Sequence, residues 1–249
     1  MKKIFYSIAL SVLVAAGSSC KKVDNYAAPD VTLKGVVSDA VTGKSIQTEQ
    51  GSGTRIKLLE ISWSSNPTPF YISSYQDGTY NNTKLFAGKN VISAEGPFVP
   101  MVQVDNNGKT IVDKSQTVDV KDVTTVNFSV EPFLRIDFVG DPVVNADGTI
   151  TTSFKITRGT SDPNFQQDIS DIAVFINSNK YVGNNNYDNR YTPKLSGSDA
   201  STSVGKTLSV TTIGGPLPGK RQYFVRVGAR VSYGLNYYNY TDVKTVTVP

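Results

Sequence analysis

The sequence predicts an all-β protein built as two consecutive domains, and three observations lead there. After residue 20 no segment sustains an apolar period of 3.6 over ten residues, whereas apolar and polar residues alternate repeatedly between clusters of Gly, Asn, Asp and Pro. The chain has 249 residues, and without its apolar leader about 230 remain, more than one average domain of ~100–150 residues and fewer than three. Glu131-Pro132 then interrupts the alternation, which divides the chain into 31–131 and 132–249.

Residues 1–19 read as a signal peptide. Lys2 and Lys3 precede an apolar run from Ile4 to Gly17, shorter than the ~20 residues that a membrane-crossing helix needs. Ala15-Ala16-Gly17-Ser18-Ser19 leads to Cys20, the chain's one cysteine, and this segment resembles the lipobox of bacterial lipoproteins. The resemblance implies lipidation at Cys20 and a permanent membrane anchor, at ~0.8 kcal/mol per buried methylene. A lone thiol in an exported protein has no disulfide partner, which agrees with that role. Residues 20–30 form the lipidated tether, with little that could pack. The implied address is the outer membrane, with its cell-surface and periplasmic faces both open.

In the first domain, alternation predicts strands at 31–37, 55–61, 70–75, 91–94 and 124–130, separated by turn signals such as Thr42-Gly43, Asp77-Gly78 and Asn106-Asn107-Gly108. The stretch Gly35-Val36-Val37-Ser38-Asp39-Ala40-Val41-Thr42-Gly43, with Asp77-Gly78-Thr79-Tyr80 and Leu85-Phe86-Ala87-Gly88, resembles the transthyretin-like (prealbumin-like) β-sandwiches of the carboxypeptidase-regulatory type. In the second domain, strands are expected at 133–138, 149–157, 169–177, 207–210, 222–232 and 244–248. There, Leu217-Pro218-Gly219-Lys220-Arg221-Gln222-Tyr223 resembles the tyrosine corner of immunoglobulin-like, fibronectin type III sandwiches. That likeness implies a bond from Tyr223 back to the backbone, with Phe154 in the core in place of the family's tryptophan. Alternation turns Tyr223, Val225, Val227, Ala229 and Val231 inward, leaving Phe224, Arg226 and Arg230 on the other face.

Composition excludes several chemistries. With no histidine and one cysteine, zinc sites and histidine-based triads are out. Removing the leader takes away Lys2 and Lys3 and no acid, which lowers the formal charge from +4 to +2, too slight to argue for nucleic acid. Gly43-Lys44-Ser45 and Gly205-Lys206-Thr207 lack the earlier glycine of a phosphate loop, and Asp105-Asn106-Asn107-Gly108 and Asn145-Ala146-Asp147-Gly148 lack the spacing of a calcium loop; all four read as turns. No catalytic, metal or cofactor motif is expected.

Tyrosine is unevenly spread. Eight of the thirteen lie between residues 181 and 240, most of them in two asparagine- and glycine-rich stretches. Aromatic faces beside amides suit a sugar ring, so Tyr187, Arg190, Tyr191, Tyr233, Asn236, Tyr237, Tyr238 and Tyr240 are candidate glycan contacts. Trp63, Tyr71 and Tyr75 form a secondary candidate. Covering ~70 Å² of sugar at ~25 cal/mol/Å² contributes under ~2 kcal/mol, against the ~4 kcal/mol of millimolar affinity, so two or three rings must converge.

Lipobox, transthyretin-like half and immunoglobulin-like half together resemble the two-domain lipoproteins, built on a domain of unknown function, that are encoded beside starch-utilisation-type glycan uptake systems. The resemblance implies two consecutive β-sandwiches and a non-catalytic accessory that presents oligosaccharide or polysaccharide to an outer-membrane glycan transporter complex. The alternative is a structural or assembly lipoprotein docking a protein partner, either a transporter component or a fimbrial subunit. Glycoside hydrolysis by paired carboxylates ranks last.

Overall fold

The computed structural model describes residues 27–249; the signal peptide, Cys20 and most of the tether lie outside the described residues. Alternation along the first hundred of these residues builds ten strands: β1 (Val31–Asp39), β2 (Arg55–Glu60), β3 (Phe70–Ser73), β4 (Thr79–Leu85), β5 (Gly88–Glu95), β6 (Val102–Val104), β7 (Thr110–Asp113), β8 (Gln116–Val120), β9 (Val123–Thr125) and β10 (Phe128–Val130). One layer has the order β10-β1-β4 with β9 also on β1, the other β3-β2-β5-β8, and β6 and β7 form a separate hairpin. Leu33, Val37 and Tyr80 from the first layer meet Ile56, Leu58, Ile72 and Ile92 from the second in one core.

The single strand expected at 124–130 is split. Asn127 Oδ1 accepts the Val36 amide at 3.1 Å in place of a ladder carbonyl, and the Tyr80 hydroxyl donates to Val126 O. Gly35 allows this crossing, because a Cβ there would stand 1.8 Å from Val126 O. β1 is therefore paired on both edges, antiparallel to β4 and parallel to β9 and β10.

The second sandwich contains β11 (Leu134–Phe138), β12 (Val143–Val144), β13 (Ile150–Arg158), β14 (Ile169–Asn177), β15 (Lys194–Ser196), β16 (Thr207–Thr211), β17 (Arg221–Val231), β18 (Asn239–Tyr240) and β19 (Lys244–Val248). β13 carries β11, β12 and β16; the facing sheet runs β15-β14-β17-β18, with β19 on β17. Ile136, Ile150, Phe154 and Ile156 pack against Ile172, Val174, Val225 and Val227 between the layers. Phe154 is fully buried, and the Tyr223 hydroxyl donates to Pro218 O at 3.1 Å, which is the tyrosine corner. The fold is all-β, as the alternation predicts.

One expectation fails. β14 and β17 are buried on both faces along most of their length, so Arg226 is not on a free surface: its relative exposure is 0%. The cover consists of the two tyrosine-rich stretches and the first domain.

Candidate binding surfaces at the domain junction

Gly228 leaves a slot on the outer face of β17, since a Cβ there would meet the rings of Phe175 and Tyr240 at 2.8 Å. Into it fold Tyr238 and Tyr240, whose rings lie 5.5 and 6.0 Å from that of Phe175. The Tyr238 hydroxyl donates to Asp171, to which Arg230 Nε also donates at 2.6 Å. The Tyr240 hydroxyl crosses the junction to donate to Glu49 Oε2 at 2.9 Å, and the Asn185 amide donates to the other oxygen of Glu49. Arg226 stacks 4.1 Å from the Tyr240 ring centre and donates to Thr48 O at 2.8 Å and Thr241 O at 3.0 Å. Asn239 Nδ2 donates to Pro97 O at 2.9 Å, and its Oδ1 accepts from the Leu134 amide at 3.2 Å.

The expectation that all of these tyrosines offer their rings to a ligand is therefore corrected. Tyr191, Tyr238 and Tyr240 are buried: Tyr191 belongs to the core between the two sheets of the second sandwich, and Tyr238 and Tyr240 cover the outer face of β14 and β17, which is apolar too. Tyr187 is half-buried against Phe175, with Lys194 Nζ donating to its hydroxyl at 2.9 Å. Arg190 is exposed but held bidentate by Asp188 at 3.0 and 2.7 Å. That bond keeps the Asp188 carboxyl below the usual carboxylate range. Asn236 is exposed in the turn after Tyr233, at φ 54°.

On the outer face of β2, β3 and β5, Lys57 pairs with Tyr71 and Ser93, and Arg55 with Glu95. Arg55 Cζ lies 4.0 Å from the Tyr71 ring centre, and its Nε and NH2 donate to Glu95 at 2.9 and 2.6 Å. Burial opposes the Arg55 charge, but the Glu95 bonds and the nearby Tyr237 and Tyr71 hydroxyls outweigh it and raise its pKa. Tyr237, from the second domain, is thus near enough to act on the charge of Arg55, from the first.

Next to this cluster is a cleft of about 490 Å³, floored by Lys57, Leu59, Ser93 and Glu95 and walled by Val102 and Asp113 on one side and Tyr233 and Leu235 on the other. Its size is that of a small-ligand site. Tyr233 is fixed by edge-to-face contacts with Phe133 and Phe165, both at 5.4 Å. Trp63 is 76% exposed in the β2–β3 loop, and Tyr75 lines a different groove.

The model described as "Protein of unknown function (DUF3823) N-terminal domain" matches residues 31–131, and "Domain of unknown function (DUF3823_C)" matches residues 139–245. The chain belongs to the DUF3823 family. A DUF3823 family protein of solved structure from Bacteroides uniformis is 32% identical, with a TM-score of 0.81 over 89% of this chain and 100% of that one. A second structure from the same organism, described as a "putative carbohydrate binding protein", is 23% identical, with a TM-score of 0.68 over 88% and 100%. A DUF3823 family protein from Parabacteroides merdae is 22% identical, with a TM-score of 0.64 over 89% and 100%. These last two share the fold. No protein with a curated function matches the chain.

Within this DUF3823 chain, sequence reasoning placed Tyr233 and Tyr237 in one candidate group and Tyr71 in another, and passed over Arg55, Lys57 and Glu95. Those three sit at alternate, outward positions of β2 and β5. A cluster of charge on one face of adjacent strands was the available signal.

Proposed function

We propose that this chain is a non-catalytic, glycan-binding lipoprotein of the cell envelope, anchored through Cys20 and serving an outer-membrane polysaccharide uptake complex. The observation that carries the reading is a cleft lined by Tyr233 and Leu235 from one domain and by Lys57 and Glu95 from the other, beside which Tyr71 stacks on Arg55 and Tyr237 is near enough to act on the Arg55 charge. Rings supply apolar faces, and the charged and hydroxyl groups match a hydroxyl rim. One fold neighbour is described in similar words, but the reading rests on the cleft itself.

The acids there are poorly placed for hydrolysis. Glu95 is bridged by Arg55 and Lys57, and bonds from Ser115 hold the Asp113 carboxyl below the ordinary range. A glycosidase's general acid needs the opposite shift.

Replacing both Tyr71 and Tyr237 by alanine is expected to weaken glycan retention on affinity gels at least tenfold, about 1.4 kcal/mol. Unchanged retention by the folded variant overturns the assignment. The second reading, protein docking, draws on Val102, Val104 and Ile111, which are exposed on the β6–β7 hairpin. It predicts intact glycan retention with loss of co-purifying transporter component or fimbrial subunit. Cys20→Ser is expected to move the protein from the detergent phase to the aqueous phase on phase partitioning; continued detergent partitioning contradicts the anchor.

A further inference from the structure

Tyr75 and Tyr181 lie outside the cleft. They belong to different domains, are 44% and 55% exposed, and line one shallow groove of about 780 Å³ with Gln47, Gln50, Lys180 and Asp242. A second hollow of about 420 Å³ shares Gln47 and Asp242 with it and continues past Lys44 to the Asp39–Arg135 ion pair. Shared lining makes the two a single trough along the domain seam. Its rings are set on a rigid base: Gln76 Nε2 donates to Lys180 O across the junction at 3.2 Å, and the Tyr181 amide donates to Asn179 Oδ1 at 3.0 Å. Beneath them, Arg226 donates to Thr48 O and Val182 O. Little ordering is left for a ligand to impose.

We infer that this trough is a second glycan site, one that takes an internal stretch of a neutral polysaccharide; the inference rests on the glycan reading of the cleft. Two exposed rings offer stacking faces, and Gln47 and Gln50 each carry both a donor and an acceptor for sugar hydroxyls. Lys44 and Lys180 face Asp77, Asp137 and Asp242 along the walls, and none of the five is in an ion pair among the described residues. Three acids against two bases give no field that would concentrate a polyanion. A trough open along its length has no wall to read a chain end.

Residues 21–249 contain both sandwiches whole and can be titrated calorimetrically with cello-, xylo-, manno- and malto-hexaose and with hexagalacturonate. The expected result is two sites per chain for one neutral hexaose. Tyr75→Ala with Tyr181→Ala removes one site, Tyr71→Ala with Tyr237→Ala removes the other, and blocking the reducing end of the hexaose leaves the trough site intact. A single site in the parent chain that only the Tyr71 and Tyr237 replacements remove, or two sites surviving the Tyr75 and Tyr181 replacements, overturns the trough while leaving the cleft reading in place; a single site that only the Tyr75 and Tyr181 replacements remove overturns the cleft reading instead. Tighter binding of hexagalacturonate at the trough overturns its neutral specificity, and loss on end-blocking overturns the internal mode. No binding of any hexaose by the parent chain removes both sites.

Discussion

Replacing Arg226 by methionine is expected to lower the unfolding free energy by ~3–5 kcal/mol and to split one unfolding transition into two. Methionine keeps much of the volume but cannot donate. The carbonyls of Thr48 in one domain, and of Val182 and Thr241 in the other, then lose a partner in a buried setting, and that of Gln76 in a partly buried one. Burial lowers the Arg226 pKa to about 10, so the group remains charged at neutral pH. Lysine is a poor substitute, because an ammonium lacks the planar fork that reaches several carbonyls at once and is more readily neutralised by burial. Urea unfolding followed by tyrosine fluorescence and circular dichroism checks this. Coincident transitions with an unchanged midpoint would show that the junction does not depend on Arg226.

Stability is also expected to fall steeply in alkali. Burial raises the pKa of Tyr80, Tyr238 and Tyr240; Asp171 adds to the shift at Tyr238 and Glu49 to that at Tyr240. In the unfolded chain these phenols ionise near pH ~10, and in the folded chain only above it, so over that interval the folded state holds protons that the unfolded state releases. Their contribution is complete below about pH 10 and is lost as pH rises, at up to ~1.4 kcal/mol per unit for each ring. Urea midpoints measured at rising pH, beside tyrosinate absorbance, test the sign. The three buried rings should ionise together with unfolding, and a smooth titration of all thirteen tyrosines without an unfolding step contradicts it.

The fold class was legible because long strands such as β13, β14 and β17 carry their pattern over nine to eleven residues. Several short or polar strands were not. β4 reads Thr-Tyr-Asn-Asn-Thr-Lys-Leu and buries only Tyr80 fully, so its membership of the sheet comes from its pairing with β1 rather than from an apolar period. β6, β7, β8, β12, β15 and β18 are two to five residues long, too brief for alternation to stand out.

The tyrosine stretches misled for a different reason: tyrosine beside asparagine looks the same whether it faces water or a partner domain. The correcting signal was in β14. Ile172-Ala173-Val174-Phe175-Ile176 is continuously apolar, the mark of a strand covered on both sides, and something in the chain has to supply that second cover. The cleft that Lys57 and Glu95 share with Tyr233 and Leu235 had no such trace, because it depends on how two domains are set against each other.

The position of β1 bears on how load passes through the molecule. Residue 30 adjoins its first residue, Val31, so tension applied through the N-terminal segment enters along the axis of a strand bonded on both edges, to β4 on one side and to β9 and β10 on the other. Pulling in that direction strains the cross-strand bonds of both ladders simultaneously, in shear, instead of peeling them open in succession. The strand through which the chain would be held is thereby also a mechanical clamp of the first sandwich.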